Sequence, residues 1–88
     1  MDDPLAALRA RFLQRSRADL DLLRASPLDR SAIAAVVHRL SGAAGMFGFP
    51  EVSRLAARVD DQIQAGEPVD EVAMRELVTG LEALPKSS

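Results

Sequence analysis

The sequence predicts an all-α domain built as an antiparallel up-down-up-down four-helix bundle. Apolar residues recur at three- and four-residue spacing in four separate segments. Proline and glycine fall between those segments, where one helix must stop and the next begin. The composition agrees, because 48% of residues are apolar while Phe occurs three times and Trp and Tyr not at all, so Leu, Val, Ala and Ile must fill the core. With 88 residues the chain supports one small domain over 1–88, too small for a cleft between two lobes, and is expected to work on its surface.

Asp3-Pro4 reads as an N-cap followed by proline at the first helical position, where the missing N–H is one that the helix leaves free anyway. Leu5, Leu8, Phe12, Leu20 and Leu23 form the stripe of a first helix to about Arg24, interrupted by Ser16 and Asp19, and Ala25-Ser26-Pro27-Leu28 breaks it. Asp29 caps a second helix that runs through Ile33 and His38 toward Met46, with Gly48 beyond its end as the expected left-handed turn. Pro50 and Glu51 open a third helix whose inward face is Val52, Leu55, Ala56, Val59 and Ile63, and Gly66 stops it. After Glu67-Pro68 a fourth helix is expected from about Val69 or Asp70 to Leu84, with Val69, Val72, Ala73, Leu77, Leu81 and Leu84 facing inward and Pro85 ending it. The last three residues, 86–88, are expected to form a frayed tail.

Charge and composition remove several classes of function. A formal charge of −2 and a pI near 5.3 argue against nucleic acid as the partner, since phosphate-backbone binding needs a basic surface. A helix-turn-helix reading of Ser31 to Arg58, with Arg54 and Arg58 on phosphates, meets Glu51, Asp60 and Asp61 on its reading helix and a second helix that is too long. The charge is uneven: Arg9, Arg11, Arg15, Arg17 and Arg24 lie early, whereas 67–82 is rich in acids, so these segments suit one another as neighbours. Without cysteine there is no disulfide or thiolate metal site, and one histidine cannot supply the paired Glu-x-x-His of a di-iron bundle. No apolar run reaches the length of a membrane span, and Met-Asp-Asp-Pro has the wrong charge for a signal peptide. The expectation is a cytoplasmic, monomeric domain with no membrane contact, no metal and no bound cofactor.

The single histidine, His38, is the residue to which chemistry can attach. Ile33, Val37, Leu40, Ala44 and Phe47 make the buried stripe of its helix, and His38 stands one residue, about 100°, off that stripe. Its neighbours one or two turns away are Ala34, Ser41, Gly42 and Gly45, so the ring is expected on a face nearly free of side chains, open to another molecule. From their phase, Gly42 and Gly45 are both assigned to clearance for that partner. An exposed neutral imidazole held in one tautomer is a competent nucleophile. If the second and third helices form a hairpin turning near Gly48, residues equidistant from the turn face each other, which sets His38 against Arg58 to Gln62. Asp60 is the candidate to accept a hydrogen bond from Nδ1–H and leave Nε2 bare.

The run His38-Arg39-Leu40-Ser41-Gly42-Ala43-Ala44-Gly45-Met46-Phe47-Gly48-Phe49 resembles the histidine-containing phosphotransfer (HPt) domain of bacterial and fungal phosphorelays, with the pattern His-x-[Leu/Ile]-Lys-Gly-x-x-x-x-x-Gly. Its Gly-x-Phe-Gly-Phe portion is similar to the phosphotransfer domain of chemotaxis histidine kinases. The resemblance implies that His38 accepts a phosphoryl group on Nε2 from a kinase or a response-regulator aspartate and passes it on, as a carrier and not a turnover enzyme. It implies receiver domains or histidine kinases as partners, a Mg²⁺ that belongs to the receiver, and Asp60 in the place of the family's ring-contacting Gln or Glu. Ala34, Gly42 and Gly45 would lie under the docked partner. One position departs from the pattern: the family's lysine is Ser41, so Ser41 and Arg39 are the phosphate-proximal candidates, with Arg39 expected to reach round the helix and supply the charge. The alternative is an HPt-shaped interaction module that binds receivers or kinases without transferring phosphate.

Overall fold

The computed structural model describes residues 3–25 and 29–85, which form four helices: α1 (Pro4–Arg24), α2 (Arg30–Met46), α3 (Pro50–Gln64) and α4 (Glu71–Glu82). Three of them start on an aspartate. The N–H groups of Leu5, Ser31 and Val72 each donate at 2.9 Å to the side chain of Asp3, Asp29 or Asp70, satisfying a donor that the first turn would otherwise leave free. The third, α3, has no side-chain cap on Phe49 and begins instead with Pro50, whose fixed φ suits the first turn. Gly48 (φ 90°) and Gly66 (φ 74°) adopt the left-handed conformation that stops α2 and α3. The break at 26–28 and the tail at 86–88 lie outside the described residues.

Cross-helix contacts fix the topology as an up-down-up-down bundle. Phe12 on α1 meets Phe47 at the end of α2, with ring centroids 5.2 Å apart, while Asp19 further down α1 meets Arg39 further up α2. Gly80 on α4 comes against Leu55 and Val52 on α3, and each helix contacts only its two neighbours, so α4 closes the ring on α1. The arginine-rich and acid-rich helices are therefore adjacent, as their charges suggest. Leu40, Leu77, Val37 and Val59 are fully buried at the centre, and each removes from water a side chain worth about 1.5–3 kcal/mol of hydrophobic stabilisation.

Three expectations about the core are corrected. Leu5 and Leu8 are 60% and 48% exposed: Leu5 borders an open surface depression beside Met46, Phe47 and Gly48, and the buried stripe of α1 begins only at Phe12. Buried Ser16 and Asp19 lie in the helix's core-facing stretch instead; the Ser16 hydroxyl donates at 2.8 Å to the Phe12 carbonyl one turn earlier, which satisfies it without a tertiary partner. Val72 is 50% exposed: the buried stripe of α4 is Ala73, Leu77 and Leu81, and Val72 sits one residue, about 100°, away from it. Val69 and Leu84 pack partly buried against the core from positions just outside α4.

Candidate functional site

His38 is in the middle of α2, one residue or about 100° off the buried Val37–Leu40 stripe, and its side chain is 76% exposed. That exposure decides what the ring can do, since a buried imidazole could not meet a macromolecular partner. Its Nδ1 lies 3.3 Å from Oδ2 of Asp60, which projects from α3 with only 13% of its side chain exposed. A carboxylate accepts and cannot donate, so the contact is a hydrogen bond when Nδ1 carries the proton, and in the neutral form of that tautomer Nε2 keeps a free lone pair. The other oxygen, Oδ1, accepts from Gln64 Nε2 at 3.5 Å, one turn further along α3. The hairpin register that sets His38 against Asp60 follows from the turn at Gly48.

The small residues around the ring divide into two kinds. Gly42 is exposed, and a Cβ built on it would meet nothing within 4 Å, so the surface beside His38 is open there. Gly45 is different, because a Cβ there would lie 3.5 Å from Ser53 Oγ on α3. Gly45, also exposed, therefore borders the neighbouring helix at ordinary contact distance, a difference from Gly42 that angular phase does not report. Ala34 is half-buried one turn before His38 on the same helix.

Neither phosphate-proximal candidate offers a free charge. The Ser41 hydroxyl donates at 2.7 Å to the carbonyl of His38 itself, a local bond that turns its proton back into the helix. Arg39 turns to the opposite flank of α2, where Nη2 donates at 2.7 Å to Asp19 Oδ1 on α1, so the expected reach toward His38 is corrected. Asp19 is buried, its Oδ2 has no partner, and Arg39 is the group that makes its charge tolerable there. Sequence reasoning treated Asp19 as an interruption; the available signal was a charged residue at a core-facing position of α1, which requires a partner. Gln64 and Ser53 were also missed, although Gln64 follows Asp60 at the four-residue spacing that brings helix side chains together.

Elsewhere the polar surface is ordinary. At the start of α3, hydrogen bonds from Arg54 hold the Glu51 carboxyl below its usual range, and the same contact raises Arg54. Among the described residues no cluster of three or more His, Asp or Glu side chains gathers to hold a metal ion, and no helix is long and apolar enough to cross a membrane. Neither a curated protein nor a solved structure matches the chain. The family model of the Hpt domain matches residues 7–87, and the chain accordingly belongs to the Hpt domain family, which serves histidine phosphotransfer in phosphorelays.

Proposed function

We propose that His38 is the phosphoacceptor and that its Nε2 receives a phosphoryl group from a receiver aspartyl phosphate or a kinase and returns it to the next carrier. The observation that carries this reading is the solvent-facing ring whose Nδ1 is held by Asp60, on the chain's one histidine. In the forward step the Nε2 lone pair forms the N–P bond while the P–O bond to the donor breaks and, for an aspartyl phosphate, the carboxylate leaves. Nδ1 stays protonated, so positive charge develops on the ring, and the Asp60 carboxylate stabilises it. The reverse step reforms the carboxyl phosphate and the neutral ring. Transfer of this kind is mainly positioning and charge stabilisation, so a fixed tautomer and an unobstructed approach are the contributions this chain makes. Gly42 and Ala34 lie under the approaching partner, which supplies its own Mg²⁺.

One observation favours a second reading, a docking module that has lost transfer: with Ser41 bonded to the helix backbone and Arg39 paired to Asp19, neither adjacent side chain neutralises a phosphate. Phosphorylation by a panel of kinases and charged receiver domains from the same organism separates the two. Acid-labile label on the wild-type chain and none on His38→Ala supports the carrier. Binding of receivers without label on either chain supports the docking module.

A further inference from the structure

The hairpin of α2 and α3 contains a second contact that bears on the first. Gly45 lies seven residues after His38, and Ser53 lies seven residues before Asp60. The two pairs are therefore rungs of one antiparallel seam, two helical turns or about 10 Å apart. At the Gly45 rung the helices are separated by little more than one serine side chain, since a Cβ on Gly45 would stand 3.5 Å from Ser53 Oγ and 3.7 Å from Ser53 Cβ. The same hydroxyl donates at 2.5 Å to the carbonyl of Ser41, a bond from α3 to the backbone of α2. Ser41, in turn, bonds to the carbonyl of His38. A half-buried serine thus ties α3 to the turn of α2 that carries the histidine.

We propose that Ser53 is a positioning residue: by bridging to the Ser41 carbonyl beside Gly45 it sets the α2–α3 separation at which Asp60 meets Nδ1 of His38. The inference rests on the reading of His38 and Asp60 given above. A contact of 3.3 Å has little slack before a hydrogen bond weakens, so a small widening of the seam two turns away releases the ring. Released, the imidazole distributes its proton between both nitrogens, and part of the population loses the free Nε2 lone pair.

The test measures the ¹⁵N shifts of the His38 ring, which report the tautomer, together with the rate of phosphorylation by phosphoramidate, a donor small enough to need no docking surface. Ser53→Ala keeps the volume and removes the bond, and is expected to lower the Nδ1–H population and slow phosphorylation about two- to threefold, the lower end of what one neutral hydrogen bond contributes, because the bond acts on the ring only through the helix separation. Ser53→Leu wedges the seam and is expected to approach the loss seen in Asp60→Ala, about tenfold, with no further loss when the two are combined. Gly45→Ala adds a methyl at ordinary contact distance and should leave both readings unchanged. Ser53 variants that keep their helical content, ring shifts and rate beside an impaired Asp60→Ala overturn this inference alone. An additive loss in the Ser53→Leu, Asp60→Ala double variant overturns it as well. An Asp60→Ala chain with unchanged ring shifts and rate overturns the orienting role and this inference with it. Should Ser53→Leu not fold, Ser53→Ala decides.

Discussion

Two adjacent residues of α2 each reach a carboxylate on a neighbouring helix, and the two pairs do different work. His38 points to Asp60 on α3 with its ring 76% exposed, whereas Arg39 points to Asp19 on α1 with 30% of its side chain exposed and the carboxylate nearly enclosed at 7%. One residue of helical rotation, about 100°, separates them. On the α3 flank the carboxylate is sheltered and the base is open, which is the arrangement the proposed acceptor role requires. The α1 flank buries a charge that the fold must neutralise, and the guanidinium is committed to that task. Exposure of the basic partner, more than the presence of an acid–base pair, is what separates the proposed acceptor from a structural ion pair.

The contrast can be broken from either side. The largest expected effect is on function: His38→Ala abolishes phosphoryl acceptance in a labelling assay, while its unfolding free energy in a urea titration falls by no more than about 1 kcal/mol, since the exposed ring contributes only its one contact with Asp60. Asp60→Ala should slow phosphorylation about tenfold, the loss of one hydrogen bond to a group that becomes charged, with a stability change under about 1 kcal/mol in the same titration. Arg39→Ala should do the converse. It leaves the Asp19 carboxylate enclosed without a partner and is expected to cost about 2–3 kcal/mol in denaturant unfolding, less than a fully buried pair because Arg39 is partly solvated, with phosphohistidine lifetime and transfer unaltered. A lifetime that falls in Arg39→Ala would show that the guanidinium serves the phosphate after all.

The smallest effect sharpens the contrast between open and packed surface. Gly42→Ala places a methyl where nothing lies within 4 Å and should stabilise α2 by up to about 1 kcal/mol through helix propensity. Gly42→Leu should leave phosphorylation by phosphoramidate unchanged and slow transfer from a receiver domain, because only the larger donor needs the cleared surface. Equal slowing with both donors would remove Gly42 from the docking face.

Much of this site was legible in the sequence because it rests on local rules. Helix phase put His38 off the buried stripe, and a turn at Gly48 set Asp60 opposite it by counting residues from the turn. What remained hidden depends on distances between helices. Gly42 and Gly45 share a face by phase, yet one meets open space and the other meets Ser53, and angular position does not report how near the next helix lies. Arg39 looked free because its partner sits twenty residues earlier on α1, where an aspartate read as a flaw in an apolar stripe. Leu5 and Leu8 fit the period of a buried face, but periodicity says nothing about whether a helix runs opposite to cover them.

The most direct measurement is the position of the phosphoryl group on the ring, read by ³¹P and ¹⁵N NMR of the chain after phosphorylation by a partner kinase or receiver. Attachment at Nε2 of His38, with Nδ1 still protonated and its proton shifted by Asp60, is the expected result. Attachment at Nδ1, or label that persists in His38→Ala, would contradict the assignment of that ring and of the carboxylate behind it.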